Sequence, residues 1–195
     1  MTLNEFRHSL LADLFRYHGR SSWLLLMRDF LFTFQMRYTF FLRLCSLLRG
    51  RAVCFPFYVL SRAALQHYSY KYGIDISPRM PIGPGLYIGH CGGIVISHKA
   101  TIGLNCNLSH DVTIGLASRG KRAGVPTIGD NVYIGPGAKI FGAITIGNNV
   151  AIGANCVVTH DVPDNAVVVG IPATIASMAG SAGYVNNTDY DSPVG

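Results

Sequence analysis

The sequence predicts a mainly-β solenoid of hexapeptide repeats, preceded by an N-terminal α-helical segment. Three observations carry this expectation. An aliphatic residue returns every six positions at Ile76, Ile82 and Ile88, then Ile96, Ile102, Leu108 and Ile114, then Ile128, Ile134, Ile140, Ile146, Ile152 and Val158. A glycine follows it at most steps, as at Gly83, Gly103, Gly129 and Gly147, and a small or apolar residue such as Ala100, Cys106, Val132 or Cys156 sits four residues after it. Before residue 73 the beat is absent, and long apolar stretches rich in Leu and Phe replace it.

A six-residue period suits neither an amphipathic helix nor an alternating strand. It suits a short strand and a turn, repeated. Three such units make a triangular coil, and coils stack at the spacing of paired strands, about 4.8 Å. The aliphatic residues then form inward ladders, and each coil buries its surface only against its neighbours.

Residues 1–72 are read as the helical region, 73–175 as the solenoid domain and 176–195 as a flexible Gly/Ser/Asn-rich tail. The stretch Trp23–Leu48 is apolar and aromatic, but Arg28, Asp29, Arg37 and Arg43 interrupt it, which argues against a membrane span. Two readings stay open for it: a helix packed on the solenoid or a second subunit, or one lying at a membrane surface. A second helix is expected from about Pro56 to Tyr70, ended by Gly73.

Composition narrows the class. The chain has 195 residues, 13% charged and 49% hydrophobic, with net charge +6, most of the excess lying before residue 80. No basic stripe or aromatic platform marks the solenoid, so nucleic acid is a poor partner. Residues 1–20 carry charges throughout, so no secretory leader is read there. The five cysteines lack metal-type spacing, and Cys106 and Cys156 fall in inward slots. A reducing cytoplasm, with at most peripheral contact with the inner membrane, is the expected setting.

The breaks in the beat point to chemistry. From Ile88 to Ile96 the step is eight, around His90-Cys91-Gly92-Gly93; from Ile114 to Ile128 it is fourteen. Solenoid insertions tend to gather on the binding face. His90 and His110 each lie two residues after a ladder position, one coil apart, so their imidazoles should stack beside the first insertion. Such a pair offers a general base. No third ligand stands in phase except Asp111, so no metal is expected. Lys121 and Arg122 in the longer insertion could hold a phosphate, or merely form a solvated loop.

Several stretches resemble the hexapeptide-repeat acyltransferases, the left-handed β-helix superfamily: YGIDISP at 72–78, IGHCGGIVIS at 88–97, CNLSHDVTIG at 106–115, the run at 125–158 and VPDNAVVVGIPA at 162–173. Within it the chain looks most like the serine acetyltransferases and their colanic-acid-type exopolysaccharide relatives. The resemblance implies acetyl-CoA as acyl donor, a homotrimer, and direct transfer to a hydroxyl by a histidine base. His90 matches that base, Asp75 the acid that orients it, and His110 a histidine of the polysaccharide relatives. Gly115, Gly142, Ala143, Ala154, Thr159 and Pro172 match walls of the CoA groove, with backbone N–H groups near Gly115 and Gly142 as oxyanion donors. Gly89, Val125 and Thr174 depart from the serine enzymes' pattern, where an acid, a histidine and an arginine are expected. The expected function is therefore O-acetylation of a sugar hydroxyl in an exopolysaccharide or capsule precursor. The alternatives are a serine O-acetyltransferase and a non-catalytic β-helix scaffold.

Overall fold

The computed structural model describes residues 1–190. Four helices open the chain: α1 (Leu3–His18), α2 (Trp23–Phe32), α3 (Phe34–Leu48) and α4 (Phe55–Tyr72). Thr2 and Glu5 form a reciprocal capping box at the start of α1, and Gly19 ends it at φ +64°. The expected long helix over Trp23–Leu48 breaks at Thr33, whose backbone is extended. Arg37 holds the break by donating to the carbonyls of Phe30 and Leu31 at 2.9 and 2.8 Å. Gly73, at φ +62°, stops α4 and turns the chain into the first coil.

Fourteen short strands then wind around three faces. The first face holds β1 (Ile74–Ile76), β3 (Ile94–Ile96), β6 (Thr113–Gly115), β9 (Lys139–Phe141) and β12 (Val157–Val158). The second holds β4 (Thr101–Ile102), β7 (Thr127–Ile128) and β10 (Thr145–Ile146). The third holds β2 (Tyr87–Ile88), β5 (Asn107–Leu108), β8 (Tyr133–Ile134), β11 (Ala151–Ile152), β13 (Val167–Val169) and β14 (Thr174–Ser177). All pairings between these strands are parallel except that of β13 with β14.

The ladders are those the beat predicts. Ile76, Ile96, Ile114, Ile140 and Val158 stack in register on the first face, and Ile88, Leu108, Ile134, Ile152 and Val168 on the third. Apart from half-buried Ile82, every residue of the beat is at most 4% exposed. Both insertions loop outward and leave the register intact, since Ile76 still pairs with Ile96 and Ile114 with Ile140.

One corner, between the second and third faces, carries a second ladder. Asn105, Asn131, Asn149 and Asn165 all sit at φ 55–61°, a left-handed conformation that asparagine tolerates. The amide nitrogens of the first three each donate to the carbonyl oxygen of the next side chain, at 2.9, 3.0 and 3.1 Å. Asn105 heads the stack, and its own Oδ1 is the one buried side-chain polar atom without a partner among the described residues.

The helices close the open first coil through buried polar contacts. Arg43 forms a two-pronged ion pair with Asp13 at 3.0 Å and also donates to the carbonyls of Ile82 and Gly83 at 2.7 Å. Tyr38 brackets β1, accepting from the Ile76 N–H and donating to the Ile74 carbonyl. Of residues 176–195, expected as a flexible tail, 176–177 close β14, and 178–190 run back along the asparagine corner. The Ser181 N–H donates to the Asn149 carbonyl, Tyr184 stacks on Tyr133 at 4.5 Å, and the Asn186 carbonyl accepts from Arg16 at 2.7 Å. The segment thus straps the last coils to α1. The rest of the expected tail, 191–195, lies outside the described residues.

Candidate functional site

The two-residue insertion after β2 makes a tight loop. Gly92 and Gly93 take φ +104° and +68°; the Gly92 N–H donates to the Tyr72 carbonyl at 2.8 Å and its carbonyl accepts from Asp111 N–H at 2.7 Å. A Cβ on Gly93 would lie 3.0 Å from the Asp111 Cα, so glycine is needed for the close approach. The loop leaves His90 on the corner between the third and first faces, directly above His110 of the next coil. Their rings meet edge to face with centroids 5.8 Å apart, and both are exposed.

Neighbouring groups hold that corner still. Lys139 donates to both the carbonyl and the carboxylate of Asp111, at 2.6 and 2.9 Å. The Tyr17 hydroxyl accepts from the Ile88 N–H at 2.9 Å and donates to its carbonyl at 3.2 Å, while its ring packs on Tyr87 at 4.5 Å. Burial drives the Tyr17 phenol well above its ordinary range, so it stays protonated. Tyr17 was invisible to repeat-phase reasoning because it comes from α1, far away in sequence.

Asp75 lies elsewhere. Alternation along β1 buries Ile74 and Ile76 and turns Asp75 outward, into a groove of about 630 Å³ between α4 and the first face. Gly115 lines the same groove, and neither His90 nor His110 does. No hydrogen bond joins Asp75 to His90 among the described residues, so the expected orienting contact is not formed within this chain. A Cβ on Gly115 would fall 2.1 Å from the Phe141 ring, which explains why the position has no side chain.

The eight-residue insertion is a pinned hairpin rather than a loose loop. Ala117 and Gly124 bridge each other in antiparallel fashion, the Ala143 N–H donates to the Arg122 carbonyl at 2.8 Å, and Arg122 pairs with Asp161 at 3.0 Å. A hydrogen bond from the Thr145 N–H, followed by the Arg122 pair, lowers the Asp161 carboxyl. Arg122 therefore already has an anionic partner, whereas Lys121 is exposed. Gly115, Gly142, Ala143 and Thr159 fall at the corner between the first and second faces, with the hairpin. Ala154 sits in the His90–His110 column, and Pro172 lies in the turn between β13 and β14. The expected cofactor-lining residues thus occupy two opposite edges of the first face.

Comparison with known proteins identifies the relatives. Residues 126–160 match the bacterial transferase hexapeptide (six repeats) family. The Mycobacterium tuberculosis serine acetyltransferase is 44% identical over 123 residues, which is 62% of this chain and 53% of that protein. The Helicobacter pylori serine acetyltransferase is 42% identical over 117 residues, 60% of this chain and 68% of that one. The crystal structure of the Brucella abortus serine acetyltransferase superposes with a TM-score of 0.75 at 31% identity, covering 91% of this chain and 71% of that one. The chain spans about half the length of the Mycobacterium relative and 58% of the Staphylococcus aureus relatives. These likenesses overturn the expectation of a polysaccharide O-acetyltransferase. That expectation gave Gly89 and Val125 more weight than the identity spread over the whole β-helix. The chain belongs to the serine acetyltransferase family of left-handed hexapeptide-repeat transferases.

Proposed function

We propose that the chain transfers the acetyl group of acetyl-CoA to the hydroxyl of L-serine. The observation that carries this reading is the His90–His110 column on a β-helix whose relatives are serine acetyltransferases. The His90 imidazole takes the proton of the serine hydroxyl as its oxygen attacks the thioester carbonyl. The carbon–sulfur bond then breaks, and the imidazolium returns the proton to the departing CoA thiolate. Backbone N–H groups near Gly115 and Gly142 stabilise the tetrahedral oxyanion. CoA lies along the walls formed by Gly115, Ala143, Ala154, Thr159 and Pro172. Lys121, exposed and without an ion pair among the described residues, takes its phosphates, and Arg122 serves only by leaving Asp161.

A cyclic trimer supports this arrangement, because it sets one edge of the first face against the other edge of a neighbour's. Light scattering of the purified protein tests it. The N-terminal helices are proposed to touch a membrane surface. No helix of the described residues is long and apolar enough to cross one. The support is the exposed face of α2, where Leu24 and Phe32 are 85% and 78% exposed, and the excess of eleven Lys and Arg over four Asp and Glu in residues 1–80. Failure to float with anionic vesicles removes that part of the reading.

The first test is CoA release with and without L-serine. Serine-dependent release is expected, and His90→Ala should cost more than ~100-fold in kcat, with a smaller loss for His110→Ala. Release indifferent to serine overturns the acceptor, and the opposite order of losses reassigns the base.

A further inference from the structure

We propose that Tyr17 is a positioning residue for the base: its hydroxyl fixes the end of β2 and, through it, the His90 imidazole. The inference rests on the serine reading and adds a residue of α1 to what the repeat itself supplies.

β2 is the end strand of the third face, with a neighbouring strand on one side only. The Tyr87 and Gly89 N–H groups donate to that neighbour, at 2.9 Å to the Cys106 carbonyl and 3.0 Å to the Leu108 carbonyl. Backbone groups alternate along a strand, so the N–H and carbonyl of Ile88 point the other way, where no coil precedes. The Tyr17 hydroxyl takes both, accepting from the N–H at 2.9 Å and donating to the carbonyl at 3.2 Å. One phenol thus does for β2 what a preceding strand does for each later one, and backbone groups inside a protein need such partners. His90 follows Ile88 by two residues, at the start of the loop.

Tyr17 can act as a fixed point because its neighbours in α1 are pinned on both sides. Arg16, only 4% exposed, spreads its guanidinium over the Gly85 carbonyl at 2.8 Å, Asn107 Oδ1 at 2.7 Å and the Asn186 carbonyl of the strap at 2.7 Å. The Asn187 amide in turn donates to the Arg16 carbonyl at 3.2 Å. On the other side, His18 pairs with Asp29 of α2 at 2.5 Å. The Tyr17 ring lies on Tyr87 with centroids 4.5 Å apart, so ring and hydroxyl bear on the same two residues of β2. Burial keeps the phenol protonated, and its donation to the Ile88 carbonyl therefore persists wherever a histidine base works. Without the hydroxyl the end of β2 loses its outer partner and can shift, carrying the imidazole with it. A misplacement of about 1 Å at a reacting group costs on the order of 100-fold in rate.

Tyr17→Phe keeps the ring on Tyr87 and removes only the hydroxyl. In protein shown by its melt to be folded, it should lower kcat for serine by about 10–100-fold and leave KM for serine and acetyl-CoA within about 2-fold. In a His90→Ala background the same change should alter the residual rate by less than about 2-fold, because its effect runs through the imidazole. Tyr87→Leu, at a half-buried position, weakens the same bracket and should give the same pattern at smaller size. Proton NMR of the histidine rings gives a readout independent of any acceptor. Tyr17→Phe should move the signals of His90 and His110, which meet at 5.8 Å, and leave those of His98 and His160, at the other edge of the first face, in place. An unchanged kcat, equal fold-losses with and without His90, or unmoved His90 and His110 signals overturn the proposal while the serine reading stands. No serine turnover by the unaltered protein overturns that reading instead, and the ring signals then still decide whether Tyr17 places the imidazole.

Discussion

Removing Asp13 should come close to unfolding the protein, although it lies on α1 and far from the histidine column. Its side chain is fully buried, and that of its partner Arg43 is 3% exposed. The carboxylate receives two bonds from Arg43 at 3.0 Å and one from the Leu86 N–H at 2.8 Å, so it joins α1, α3 and the first coil at one point. In Asp13→Ala the guanidinium cannot swing out to water, because Nη1 and Nη2 stay bonded to the Ile82 and Gly83 carbonyls. Breaking a buried pair from one side costs about 3–5 kcal/mol. The orphaned Leu86 N–H adds about 1 kcal/mol. A total near 4–6 kcal/mol corresponds to a Tm drop of roughly 10–20 °C for a chain of this size. Urea melts followed by circular dichroism measure it, and Asp13→Asn, which keeps an oxygen for Leu86, should lose less. A loss below about 1.5 kcal/mol would refute the reasoning, since it would mean that water already screens the pair.

The asparagine ladder should behave as one unit. Asn131→Ala removes two side-chain hydrogen bonds and places alanine at φ 55°, so it should cost about 2–4 kcal/mol, measured by the urea midpoint. A loss under about 0.5 kcal/mol would show that the ladder follows the fold without supporting it. Alkaline stability should fall in a defined window. Burial raises the Tyr38 phenol to about 12 and the Cys106 thiol to about 12, from 10.0 and 9.0. The unfolded chain therefore releases these protons first and binds fewer than the folded one, so stability declines as pH rises through 9 and 10 towards about 12. Tyr38 alone accounts for about 1.4 kcal/mol per pH unit above 10. Tyr38→Phe should flatten that part of the slope, even though it loses its bonds to β1; an unchanged slope between pH 10 and about 12 would assign the effect to other groups.

The β-helix was legible because its rule is local. A ladder position needs only an aliphatic side chain every sixth residue, and the insertions declare themselves as steps of eight and fourteen. The same phase brought His90 and His110 together, since both are fixed relative to strands that pair in register. The helical region was less legible. Nothing periodic separates α2 from α3, and the break at Thr33 depends on Arg37 reaching back to two carbonyls. The strap over residues 178–190 was missed for the same reason: glycine and asparagine read as a mobile composition, while the contacts that order it lie on Asn149, Tyr133 and Arg16. Contacts between elements far apart in sequence have no signature in either partner alone.

The same limit bears on the overturned expectation of a sugar acceptor. Gly89 and Val125 were read as lost acceptor contacts because a motif assigns each contact to a fixed position near the base. The groove along β1 lies beyond any such motif: one wall is α4, which the repeat does not describe, and its stripe of Tyr58, Arg62, Gln66 and Ser69 has no meaning until β1 is laid opposite. The β-helix fixes where His90 and His110 stand, because the histidine column is part of the coil. The groove-facing residues of α4 lie outside the ladder, so they can be exchanged without disturbing a single rung of it. If that division holds, exchanging them should leave the dependence of acetyl transfer on His90 intact. A change in α4 that abolished all acetyl transfer in a folded protein would show instead that the helix and the coil form one inseparable catalytic unit.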